Sequence, residues 1–172
     1  MKRHVMAVAM CAALMIPAGA FAQDVNSDST PGTNFATYKT YAWTPGTPAQ
    51  DPFMEQRIHQ GVDQRMAAKG FTLVTANPDV VVTTHASGKE QKELIASGYG
   101  GSLRFGGGMA TASVNTYIQG MLVVDLYDAK SKQIVWRATA TDTMSDKPDK
   151  NTKKINNALD KMFKQYPPKP KS

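Results

Sequence analysis

Five stretches of this chain read as strands from their apolar, β-branched and aromatic positions, two carry a helical repeat, and one near the start is apolar throughout. From Phe35 to Trp43 aromatic and β-branched residues predominate, which predicts a strand closed by Pro45, Gly46 and Pro48. Met54, Ile58, Val62 and Met66 recur every four residues and form one apolar stripe of a helix. Asp51 is placed to cap that helix, Pro52 fits its opening position, and Lys69-Gly70 ends it. Phe71–Val74 reads as a short strand, and Asp79–Ala86, rich in valine and threonine, as a longer one.

Thr116–Tyr127 is the longest predicted strand, with Gly120 marking a bulge or bend. Gln133–Thr143 follows after the polar connector Asp128–Lys132, and the two strands predict a β-hairpin. Ile155, Leu159, Met162, Phe163 and Tyr166 give a second amphipathic helix from about Asn151 to Gln165. Pro167, Pro168 and Pro170 stop it. The predicted order is β-α-β-β-β-β-α. It lacks strict strand–helix alternation, so the fold class is α+β, a mainly antiparallel sheet with two helices packed on one face.

The uniformly apolar stretch, Val5–Ile16, changes the picture of where the protein works. Lys2 and Arg3 precede it, Pro17 and Gly19 break it, and Ala20-Phe21-Ala22 offers the small-x-small pattern of a cleavage site. Residues 1–22 are therefore expected to be a signal peptide removed near Ala22–Gln23, which places the mature protein in the periplasm or outside the cell. The run is shorter than the ~20 apolar residues a spanning helix requires, so no transmembrane segment is expected after cleavage. Cys11 is a poor lipidation site, because Met10 precedes it and only Val5–Met10 form the apolar stretch before it. Residues 23–34, rich in Asp, Asn, Ser, Thr, Pro and Gly, read as a flexible lead-in. Residues 35–167 read as a single domain and 168–172 as a Pro/Lys tail. Cys11 is the only cysteine, so the expected mature chain forms neither disulfides nor cysteine metal sites.

The net charge of +6 is unevenly distributed. Residues 23–146 hold ten basic and twelve acidic side chains, whereas residues 147–172 hold eight lysines against Asp149 and Asp160. The cationic excess lies in the last helix and the tail, where it favours anionic partners. Lys153, Lys154, Lys161 and Lys164 are the candidate contacts. Export removes nucleic acid as a partner, which leaves anionic envelope components or another envelope protein.

The glycine-rich segment Gly98–Gly108 lacks the Lys-Ser or Lys-Thr ending of a phosphate-binding loop, and strand-like residues follow it. It reads instead as a loop presenting Tyr99, Arg104 and Phe105 to a partner, by aromatic contact area and a planar cation. Asp125 and Asp128 are too few for a hard cation. Asp128 fits turn chemistry, and Asp125 fits a polar edge position or a pairing with Arg137 across the hairpin. His59 and His85 have no metal-spaced partner, and Ser87, Ser97 and Ser102 sit in no Gly-x-Ser-x-Gly elbow. No catalytic, cofactor or metal residues are assigned. The function expected is a non-enzymatic binding or envelope-support module. The rival readings are a hydrolase or transferase with carboxylates gathered by the fold, and a structural subunit that oligomerises through an exposed sheet edge or face.

Three segments, Asn34–Trp43, Lys69-Gly70 with Pro78–Val82, and Gly120–Arg137, resemble the domain-of-unknown-function family 4136. The last is the most specific, combining a strand, a turn and a Val-Trp-Arg strand in register. The resemblance spans residues 34–167 and implies an exported bacterial envelope protein of α+β fold without a known activity. Many members of that family look like lipoproteins, a pattern from which this chain departs at Cys11.

Overall fold

The computed structural model describes residues 23–98 and 110–169. Six strands form one sheet: β1 (Asp24–Ser29), β2 (Thr40–Trp43), β3 (Thr72–Leu73), β4 (Val80–Gly98), β5 (Ala110–Asp128) and β6 (Ile134–Thr143). Their order in space is β1-β6-β5-β4-β2-β3. Two helices, α1 (Pro52–Ala68) and α2 (Pro148–Lys164), complete the fold, which is α+β.

The sheet is mixed rather than mainly antiparallel. β2 runs parallel to both β3 and β4, because α1 carries the chain back to the end from which β2 started. The β4–β5, β5–β6 and β1–β6 pairs are antiparallel. The order also gains a strand. Residues 24–29, expected to be part of a flexible lead-in, form β1 along the free edge of β6, with Val25 opposite Ala140 and Ser27 opposite Ala138. Polar side chains concealed it: Asp24, Asn26 and Asp28 point away from the helices, and polar outward residues are what a sheet edge requires to resist pairing with other chains. The inward set is held by Ser27 Oγ donating to Gln165 Oε1 at 2.6 Å and by Val25 against the core.

Phe35–Trp43 is a strand only in its second half. Phe35–Thr37 makes a 3-10 turn capped by the Asn34 side chain, and Phe35 packs edge-on against Tyr166 at 5.5 Å. The β5–β6 hairpin forms as expected. Its register runs unbroken through Gly120, and the bulge lies at Leu126/Tyr127 instead. β4 and β5 extend well past the residues that the apolar pattern marks, into the polar stretches Ser87–Gly98 and Ala110–Asn115.

Helix α1 begins and ends where the sequence places it: Asp51 Oδ1 accepts from Phe53 N at 3.0 Å, and Gly70 takes φ +87° beyond the last turn. Its predicted stripe is buried. Helix α2 opens earlier than expected, at Pro148, and buries Ala158, Leu159, Met162 and Phe163. Both helices cover the sheet face formed by Tyr41, Val80, Val82, Val124, Leu126, Trp136 and Ala138. Trp136 is fully buried between Phe163 and Tyr166, with ring centroids 5.5 and 5.3 Å away. Gly61 lets the helices touch: a Cβ there would lie 2.6 Å from Leu159 Cδ1.

Candidate functional site

The two helices run in the same direction. Met54 and Ile58 of α1 sit beside Asn151 and Ile155 of α2 at one end, while Lys69 Nζ donates to the Tyr166 carbonyl at the other. The sheet outruns the helix starts, because β4 and β5 continue past Ala86 and Leu122. The result is an open cleft of about 290 Å³ between the first turns of both helices and the exposed end of the helix-bearing sheet face. Its walls are mostly apolar, with Met54, Ile58, Ile118, Leu122, Met144 and Ile155 prominent. Gly88 and Gly120 are direct cross-strand partners at its floor.

Polar groups stand at the rim, and they bond to one another. Asn151 accepts from Ser145 N at 2.8 Å and donates to Ser145 O at 2.7 Å. Lys154 Nζ donates to Asp142 Oδ1 at 2.8 Å and to the Thr143 carbonyl. Gln23 Nε2 closes the same knot through Asp142 Oδ2 at 3.3 Å and Lys154 O at 2.9 Å. Asp51 is committed to its helix cap. The larger polar side chains of the rim, Gln23, Asn151, Asp142 and Lys154, are thus engaged with the protein itself, while Gln50, Ser87 and Thr141 also line the cleft.

The opposite sheet face carries a second polar cluster. Asp125 is fully buried, and Arg137 grips it with a fork: Nε donates to Oδ1 at 2.7 Å and Nη2 to Oδ2 at 2.6 Å. That pairing is one of the two roles the sequence offered for Asp125. The bonds to Asp125 raise the Arg137 pKa beyond its already high ordinary value, against the opposing effect of burial. His85 Nε2 approaches the same carboxylate at 3.8 Å, while its Nδ1 lies 3.1 Å from Thr47 N. Asp128 holds the hairpin turn, accepting from Ser131 N, Ser131 Oγ and Lys130 N, and these bonds lower its carboxyl pKa. Tyr38 donates to it at 3.0 Å, and burial followed by that bond pushes the phenol up to about 12.

Of the residues singled out for partner binding, Lys153, Lys161 and Lys164 are exposed on α2. Lys154 differs, because its ammonium is turned into the rim and paired with Asp142. Tyr99, Arg104 and Phe105 lie outside the described residues. His59 stacks flat on Trp43 at 4.0 Å and pairs with Glu55 at 2.9 Å. Among the described residues no group of three His, Cys, Asp or Glu side chains could hold a metal ion, and no helix is long and apolar enough to cross a membrane. The cleft escapes sequence reading, since its walls come from five separate elements. Its one local signal is the pair of strand glycines, which mark places where another group approaches the backbone.

A family model described as "Domain of unknown function (DUF4136)" matches residues 25–168, from the edge strand to the end of α2 and beyond. The chain belongs to the DUF4136 family. None of the curated proteins is similar to it in sequence. Among solved structures, it is similar to a PDZ domain protein from Parabacteroides distasonis, with a TM-score of 0.58 at 17% identity over 86% of this chain. The chain spans only 36% of that protein's length. It is also similar to a PelC dodecamer from Paraburkholderia phytofirmans, with a TM-score of 0.52 at 14% identity, covering 83% of this chain and 95% of the other. At such identities these likenesses establish a shared fold and nothing about activity.

Proposed function

We propose that this DUF4136 chain is an exported, non-enzymatic module of the cell envelope that binds anionic lipid, with an acyl chain in the cleft and head groups against α2. The observation that carries this reading is the open apolar cleft of about 290 Å³ whose polar rim is internally bonded. A polar substrate finds few free groups to orient it there. An alkyl chain needs only apolar walls, and Met54 and Met144 adapt to its path. The exposed Lys150, Lys153, Lys161 and Lys164 on α2 supply a cationic surface suited to a negatively charged bilayer. A hydrolase or transferase needs convergent titratable groups free to act, whereas Asp51 and Asp142 are engaged in a cap and an ion pair.

Calorimetric titration with dodecanoate tests the cleft. Binding should occur with a negative heat-capacity change and weaken at least about tenfold in Ile155→Ser, with the unfolding midpoint measured alongside. Absence of binding, or equal affinity in the variant, overturns the assignment. Co-sedimentation with phosphatidylglycerol vesicles tests the lysines: binding should fall as salt rises and be lost in Lys153→Glu/Lys161→Glu. The export reading predicts that protein recovered from the envelope fraction begins at Gln23 by mass spectrometry.

A further inference from the structure

Strand β6 ends at Thr143, and Met144 N then donates to the Ile118 carbonyl at 2.7 Å. That bond fixes the phase of β5: its even-numbered residues turn their backbone groups toward the β6 side and its odd-numbered residues toward β4. Nearer the hairpin end, Ala110, Ala112, Val114 and Thr116 hold theirs on an edge that no strand among the described residues occupies. The sheet is only two strands wide there, and a two-stranded pair is marginally stable in water without a third.

Sheet edges are guarded by charge, by shortness or by cover. The other edges among the described residues are guarded in these ways. β1 carries Asp24 and Asp28, β3 is two residues long, and β4 past Ala86 carries Lys89, Glu90, Lys92 and Glu93. The stretch Ala110–Val124 contains no charged residue and no proline, so the open part of β5 has nothing to keep another strand away.

A second copy of this stretch fits the edge in one register. A two-fold axis normal to the sheet at Ser113 sets Ala110 against the partner's Thr116 and Ala112 against the partner's Val114. All four open residues are then paired, and no group already bonded is needed. Moving the axis to Val114 would set Ala110 against Ile118, whose carbonyl Met144 holds, and moving it to Ala112 would leave Thr116 unpaired. Every partner residue from Tyr117 to the end of its β5 falls beyond Ala110, so the pairing meets neither the cleft nor the helix-covered part of the sheet. The Val114 side chains of the two copies become diagonal neighbours, each flanked by its own cross-strand Leu94. In one copy these side chains are 59% and 68% exposed, high values for apolar groups of that size. No like charges are brought together, because the paired segment carries none.

We propose that the free edge of β5, Ala110–Thr116, pairs antiparallel with the same edge of a second copy, which joins the two hairpins into a four-stranded ribbon. It goes beyond the lipid reading, since none of these residues lines the cleft. In sedimentation velocity at tens of micromolar, the purified protein should run as a dimer. Val114→Pro should weaken the dimer at least about tenfold: its N–H faces the open edge, so proline there removes no bond to β4. Lys92→Pro is the control. Ala86 N donates to the Thr47 carbonyl, so the even-numbered residues of β4 face that strand's own outer edge, and this variant should dimerise like wild type. The axis at Ser113 sets the two copies' Cα atoms about 4.5 Å apart, within disulfide reach. With Cys11→Ser removing the only native cysteine, Ser113→Cys should oxidise to a covalent dimer and Asn115→Cys should not. A monomer at these concentrations, an undiminished dimer in Val114→Pro, a dimer lost in Lys92→Pro, or no disulfide in Ser113→Cys would each overturn the proposal.

Discussion

Asp125 shows how much one side chain's surroundings decide. Its carboxylate has no solvent exposure, although it lies on the helix-free face of the sheet, and its close partner is the half-exposed Arg137 fork at 2.6 and 2.7 Å. Arg137→Ala leaves that charge buried, with His85 Nε2 at 3.8 Å from it. The expected loss is about 2–3 kcal/mol by denaturant unfolding, below the upper range for broken buried pairs because half of the guanidinium already faces water. Asp79 gives a pH signature. Its Oδ2 accepts from Lys39 N, Thr40 N and Thr40 Oγ1, bonds that lower its pKa in the folded state. The unfolded chain therefore takes up the proton first as pH falls. The stabilisation is complete above the ordinary carboxylate range and is lost as pH drops from about 5 toward the folded-state pKa. Thermal unfolding between about pH 5 and 3 should show this slope, and Asp79→Asn should flatten it. Asp128, lowered by its turn bonds, contributes with the same sign.

At the scale of elements, the helix pair depends on a close approach that the apolar stripes alone do not set. Gly61 gives α1 its contact with Leu159, and Arg65 spans the same seam to Asp160 and to Asn156. Gly61→Val should push the helices apart and cost about 2 kcal/mol through overpacking, although glycine itself is a poor helix former. The check is an unfolding midpoint that falls while helical content in the native baseline stays the same. The elements with a clear local code, α1 and the β5–β6 hairpin, were legible from residues alone, because capping, stripe and turn chemistry all act within a few positions. Edge strand β1 was not legible. Its Asp, Asn and Ser residues are poor strand formers by composition, and only the free edge of β6, more than a hundred residues away, turns them into one.

For the whole molecule, the parallel helices and the overlong hairpin leave one end of the sheet uncovered, which makes both the cleft and the ribbon. An acyl chain held there should protect the protein: dodecanoate at 100 times its Kd should raise stability by about 2.7 kcal/mol, read as a shift in the unfolding midpoint. The shift should vanish in Ile155→Ser. Residue pattern by itself determined the α+β class, both helices, the β5–β6 hairpin, the cationic bias of the C-terminal segment and the likeness to DUF4136, since each rests on neighbours in sequence or on summed composition. Tertiary structure alone decided the mixed sheet, the edge strand, the satisfied state of Lys154 and the cleft. Those depend on which distant segments meet, and the free energy that brings them together, burial of apolar surface, has no direction along the chain.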